Sequence, residues 1–163
     1  MSERALLQPE LTVAAVVERH GRYLLVEERA AGRLVLNQPA GHVEPGESLV
    51  EAVVREALEE TAWTFVPEAI VGVYLWSRAG AANPFLRVAF SGHCTSHDPA
   101  RPLDTGILRT LWLRRQELVA RPDDLRSPMV LRAIDDYETG TRHPLDLFQD
   151  LAVEQLSRRA AVL

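Results

Sequence analysis

Lysine is missing altogether: all 18 positive charges among the 163 residues are arginine. A Walker P-loop needs its lysine to reach phosphates and a Schiff-base enzyme needs the amine, so both classes are excluded. There is one cysteine, Cys94, which rules out an internal disulfide and suits a reducing compartment. We read it as a small packed side chain rather than a nucleophile. The net charge of −5 offers no basic field of the kind a nucleic-acid binder shows. No apolar run approaches the ~20 residues needed to cross a bilayer. The N-terminal stretch, with Glu3, Arg4 and Glu10 around a short apolar run from Leu11 to Val17, lacks the basic start and long apolar core of a signal peptide. The expectation is a cytoplasmic protein, monomer or homodimer, that binds neither nucleic acid nor membrane.

What is present is the composition of a globular domain, 47% apolar and 25% charged. Two apolar runs around His20-Gly21 predict a hairpin of Leu11 to Val17 with Tyr23 to Glu27. Arg29 to Gly46 reads as a long loop with a short strand at Leu34 to Leu36. "AIVGVYLWS", "PFLRVAFSGHC" and "GILRTLWL" read as three further strands, followed by helices at Arg115 to Ala120 and Ser127 to Tyr137. The strongest helix runs from Ser48 to Thr61, with Ser48 as N-cap and Glu51 completing a capping box. Strands interrupted by helices predict a mixed α/β class with helices packed on a sheet, in one domain over residues 9–140. Residues 141–163 read as a C-terminal segment holding a docked or fraying helix.

Within the best helix, "REALEE" places Glu56, Glu59 and Glu60 beside the single cation Arg55. Like charges three and four residues apart repel. On a wheel at ~100° per residue, with Leu49 at zero, Val50, Val53, Val54 and Ala57 form the apolar stripe between ~40° and ~140°. The three carboxylates span ~280° to ~20° and overlap the edge of that face at Leu49. A half-buried acidic cluster must take up protons or hold a cation. Oxygen-only donors suit a hard divalent ion such as Mg²⁺.

Counting back from the cluster, Gly41, Glu47, Arg55, Glu56, Glu59 and Glu60 fit G-x5-E-x7-R-E-U-x-E-E, where U is aliphatic or aromatic. In this spacing the chain resembles the Nudix hydrolase family, and "NQPAGH", "FLRVAF", "LRSP" and "GTRHPL" extend the resemblance toward its NudJ-type phosphatases. The box ends in glycine, where this chain has Ala62. The resemblance implies an α/β/α sandwich, a mixed β-sheet flanked by helices. It implies Mg²⁺, with Mn²⁺ as a possible substitute, held by Glu56, Glu59, Glu60 and the backbone carbonyl of Ala40. Arg55 would orient Glu56, Glu47 would brace Arg55, and Glu56 is the candidate to help activate the attacking water. Asp104, in "LDTGI", is a candidate additional acid or base and equally a turn-forming aspartate.

The implied activity is hydrolysis of a phosphoanhydride in nucleoside tri- or diphosphates or in hydroxymethylpyrimidine pyrophosphate, a thiamine precursor. Dinucleoside polyphosphates or nucleotide sugars are the alternative substrates, and a catalytically silent nucleotide sensor is the alternative outside enzymes. Candidate substrate contacts are Arg33 and Arg87 for phosphate, Trp76 for stacking on a ring, and Gln38 for phosphate, ring or loop order. His93, Cys94 and His97 superficially suggest zinc, but lack a defined fourth ligand.

Overall fold

The computed structural model describes residues 6–151. β1 (Glu10–Arg19) turns through His20 and Gly21 into β2 (Arg22–Ala30), and Ala31 and Gly32 turn β2 into β3 (Arg33–Asn37). Both turns have two residues at positive φ, 53° and 73° in the first and 48° and 77° in the second. Turns of that kind match the right-handed twist of the flanking strands. The three-residue β4 (Ala40–His42) follows, then α1 (Leu49–Thr61), β5 (Trp63–Trp76), β6 (Phe85–His97), β7 (Ile107–Leu113), α2 (Arg115–Val119) and α3 (Met129–Glu138).

β1 pairs parallel with β6 from Glu10–Phe85 to Val17–Gly92 and antiparallel with β4, while β5 lies antiparallel at the outer side of β6. β3, β2 and β7 form an antiparallel group, joined to the first through the Glu18–Tyr23 and Arg19–Arg22 pairs of the β1–β2 hairpin. Alternation along β1 divides the core. Val13, Ala15 and Val17 pack with Leu49, Ala52, Val53 and Ala57 of α1, whereas Val16 packs with Leu118 of α2 and Ala133 and Ile134 of α3. The result is a mixed sheet flanked by helices, the expected α/β class.

Three local expectations are corrected. In the segment Arg29 to Gly46 the short strand expected at Leu34 to Leu36 is β3, but the rest is not all loop, because it also holds the end of β2 and all of β4. β5 begins at Trp63 rather than Ala69, although it contains Pro67. Proline is tolerated there because β5 is at the edge of the sheet and its register shifts between Pro67 and Ala69. The third concerns the wheel of α1, whose buried face is Leu49, Ala52, Val53, Glu56, Ala57, Glu60 and Thr61. Glu56 and Glu60 therefore stand in the middle of that face rather than at its edge. Of the expected C-terminal helix, a 3-10 turn occupies Leu145–Leu147, and everything past residue 151 lies outside the described residues.

Candidate active site

α1 begins as its sequence dictates: Ser48 Oγ accepts from the Glu51 amide at 3.2 Å, and Glu51 accepts from the Ser48 amide at 2.7 Å. It ends at Ala62, which takes the left-handed conformation (φ 58°, ψ 13°) and donates its amide to the Leu58 carbonyl. That is the stop a glycine would supply. Between these ends the acidic residues gather around Arg55. Its Nε and Nη2 donate to the two oxygens of Glu47 at 2.9 and 2.6 Å, a bidentate pair. Nη1 donates to Glu56 at 2.8 Å and to Glu59 at 3.1 Å, and Nη2 also reaches the His42 carbonyl at 3.0 Å. One guanidinium thus ties the loop before the helix, the end of β4 and two helical carboxylates into a single body.

Glu60 is bound differently. Its Oε2 accepts the Ala40 amide at 2.8 Å, and no ion pair to it forms among the described residues. In the β1–β4 pair the ladder bonds fall on the flanking residues, as in Ala15 N–H to the Pro39 carbonyl. Antiparallel alternation therefore turns both the amide and the carbonyl of Ala40 away from β1, toward α1. The next residue, Gly41, lies close under Glu56: a Cβ there would meet the Glu56 carboxylate, which would have to shift to admit it. Burial pushes the Glu60 carboxyl up to about 8, with Glu56, Glu28 and Asp104 adding and the Ala40 amide opposing. Burial also raises Glu56, against the pull of Arg55. Glu47, hydrogen-bonded by Arg55, is held below the usual carboxylate range.

The donor set itself tests whether a divalent cation suits this place. Glu56, Glu59, Glu60 and the Ala40 carbonyl offer only hard oxygens, and their burial leaves negative charge that Arg55 alone does not balance. They fit such an ion. Among the described residues no three His, Cys, Asp or Glu side chains converge at ligating distance. Here Glu56 and Glu59 turn to Arg55, and Glu60 turns to Ala40. Asp104 stands nearby, its amide donating to the Glu59 carbonyl at 3.0 Å, while its own carbonyl closes a turn onto the Ile107 amide. The zinc suggestion finds no support: His93 pairs with Glu68, His97 lies against the Trp63 ring, and Cys94 packs at the α1 side of the core.

Across β4, a cavity of about 170 Å³ is lined by Ala40, Gly41 and His42 together with Trp76, Arg87 and Ser127, among others. Trp76 stacks on Phe85, ring centroids 5.9 Å apart. Arg87 is buried and donates to Asn37 Oδ1 at 3.2 Å. Burial lowers its pKa to about 10, so it stays charged at neutral pH. Two other substrate candidates lie outside the lining. Gln38 is buried with its amide on the Val130 carbonyl at 2.7 Å, and exposed Arg33 reaches the Asp123 carbonyl at 2.6 Å. The cavity also contains Thr12, Glu28, Asn37, Arg126 and Ser127, which sequence reasoning did not single out. The signal was there for three of them, since Asn37 opens "NQPAGH" and Arg126 and Ser127 stand in "LRSP". Those stretches and "FLRVAF" converge on one cavity.

A carboxylate helix tied by one arginine, abutting a cavity on a mixed sheet, suits a metal-assisted reaction on a small anionic substrate. The family model of the NUDIX domain matches residues 8–133. The chain is 38% identical over 145 residues to phosphatase NudJ of Escherichia coli K12, covering 89% of this chain and 94% of that protein, and equally so to phosphatase NudJ of Shigella boydii. It superposes on a NUDIX hydrolase from Nitrosomonas europaea with a TM-score of 0.85 at 49% identity, over 88% of this chain and 97% of that one. The chain belongs to the Nudix hydrolase family and is a pyrophosphohydrolase. Enzymes of this family generally use a divalent metal and act on small-molecule nucleotide substrates.

Proposed function

We propose that this enzyme removes terminal phosphate, with Mg²⁺ or Mn²⁺, from nucleoside tri- and diphosphates or from hydroxymethylpyrimidine pyrophosphate. The observation that carries the reading is the shared wall. Ala40 and Gly41 fasten Glu60 and back Glu56 on one side and line the cavity on the other. A substrate can thus place its anhydride at the carboxylates and its organic end in the cavity. The similarity to phosphatase NudJ supports the choice of orthophosphate as product.

Glu56, Glu59, Glu60 and the Ala40 carbonyl would hold the ion, which when bound neutralises phosphate charge and acidifies water at the site. Arg55 holds Glu56 and Glu59 through its one Nη1, and Glu47 locks Arg55 in place. Glu56, next to the backbone of Gly41, is placed to take the proton of the attacking water. Asp104 adds negative charge behind this pair. Trp76 and Arg87 meet the organic end, while Gln38 and Arg33 contribute by ordering the segment around Pro39 and the end of β3. A reducing cytoplasm suits the single half-buried thiol, and residues 9–140 form the catalytic unit of a monomer or homodimer.

A panel of these substrates with Mg²⁺, scored for orthophosphate against pyrophosphate, tests the proposal. Orthophosphate is the expected product. Pyrophosphate as the main product from nucleoside triphosphates would overturn it.

A further inference from the structure

Three residues that line the cavity across β4 carry buried polar atoms that the protein itself leaves unserved. Thr12, Arg87 and Ser127 are 3%, 5% and 5% exposed. Among the described residues Thr12 Oγ1, Arg87 Nε and Ser127 Oγ have no hydrogen-bond partner, and all three residues line this one cavity. They come from separate parts of the fold: Thr12 and Arg87 are register partners on β1 and β6, and Ser127 precedes α3. An unsatisfied buried polar group is destabilising, because it has given up water without gaining a partner. Three in one small space form a standing cost that a ligand with matching atoms would remove.

The surroundings define that ligand. Arg87 Nη1 is committed to Asn37, whose amide donates to Glu28 at 3.2 Å, and Arg126 lies 3.5 Å from the same Glu28 oxygen. The guanidinium is thus fixed in orientation and partly neutralised, which suits recognition of a dipole better than capture of a dianion. Its Nε–H can only donate, whereas the two hydroxyls can donate or accept. The stacked Trp76 and Phe85 rings supply a flat apolar wall. At about 170 Å³ the space is small, below the ~300–1,000 Å³ of pockets for drug-sized ligands.

We propose that Arg87 Nε, Thr12 Oγ1 and Ser127 Oγ are specificity-determining groups that read the edge of a planar polar ring on the substrate, with Arg87 donating to a carbonyl or ring-nitrogen acceptor. This rests on the reading of the site as one that cleaves a phosphoanhydride joined to an organic group, and it assigns Arg87 to the ring rather than to phosphate.

The test is calorimetric binding of phosphate-free ligands, namely the common nucleosides and free hydroxymethylpyrimidine, to the full chain and to Thr12→Val and Ser127→Ala. Inorganic pyrophosphate with Mg²⁺ is titrated alongside. Each substitution is expected to weaken the best ring ligand about tenfold, the equivalent of one lost hydrogen bond at ~1.4 kcal/mol. Pyrophosphate affinity should move less than about twofold on the same scale. Because each substitution removes an unpaired hydroxyl, melting temperature should hold or rise, which separates recognition from a structural role. Ring affinity unchanged in both variants, equal losses for ring and pyrophosphate, or no ring ligand binding the wild type would each overturn the proposal. None of these measurements needs turnover. Absence of Mg²⁺-dependent phosphate release would therefore count against the hydrolase reading alone.

Discussion

The acidic face of α1 and the cavity across β4 share a wall and are built on opposite terms. On the helix each carboxylate has a partner, yet charge does not balance: Arg55 serves Glu47, Glu56 and Glu59, and among the described residues Glu60 has only the Ala40 amide. In the cavity charge is closer to balance, with Glu28 set between Arg126 and the Asn37–Arg87 pair, yet hydrogen bonds are incomplete. A site short of positive charge recruits a cation, and a site short of donors and acceptors recruits a polar ring. The proposed placement of the two ends of the substrate rests on that difference.

The largest effect is expected where the imbalance is greatest. Glu60→Gln removes one of the two buried carboxylates of the cluster while keeping an acceptor for the Ala40 amide. Metal-dependent turnover should fall by more than the ~10–100-fold that loss of an outer partner costs, and the rise in melting temperature on adding Mg²⁺ should shrink. The metal-free protein should lose no stability, because the substitution ends the burial of a carboxylate. Retained turnover in both Glu60→Gln and Glu59→Gln would break the assignment of the cation to this face.

Arg55→Lys comes next. A lysine keeps the charge but cannot reproduce the bidentate grip on Glu47 together with bonds to Glu56, Glu59 and the His42 carbonyl. Turnover should drop roughly 10–100-fold, with ring affinity in the cavity unchanged. If ring binding falls in parallel, the two regions are not separable. Gly41→Ala probes the shared wall directly. The added Cβ meets the Glu56 carboxylate, which must shift and strain its bond to Arg55, at a cost of up to about 1–3 kcal/mol. Denaturant midpoints should show that loss, and kcat should fall further than ring affinity.

The two regions also differed in how far the sequence exposed them. The acidic face was legible because its parts lie within one helix and the loop before it, at fixed spacing from Gly41 to Glu60. Even so, the apolar wheel misplaced its centre, since hydrophobicity cannot signal that Glu56 and Glu60 are themselves buried. β4 escaped because three residues after Pro39 carry no periodicity, and the start of β5 escaped because a proline, Pro67, interrupts it. The cavity draws on Thr12, Asn37, Arg87 and Ser127, which only strand register and the position of α3 bring together. Arg87 and Trp76 stood out as an arginine and an indole in apolar strands, but whether either faced phosphate or ring depended on partners distant in the chain.

The smallest effect is expected at the one departure from the box, Ala62, and its size follows from opposing terms. Holding alanine at φ 58° costs about 1–2 kcal/mol, which Ala62→Gly would relieve. Against that, Ala62 is buried, and deleting its methyl forfeits about 0.8 kcal/mol. The glycine also frees the unfolded chain, worth about 0.4–1 kcal/mol against folding. These terms nearly cancel, so Ala62→Gly should change unfolding free energy by less than about 1 kcal/mol in denaturant titration. Ala62→Val should be clearly destabilising, since a β-branched residue tolerates that conformation poorly. Ala62 is neither one of the clustered carboxylates nor on the cavity lining, so turnover and ring affinity in Ala62→Gly should match the wild type. A loss of activity without a loss of stability would mean that the helix terminus helps aim Glu59 and Glu60, tying the acidic face to the turn behind it as well as to β4.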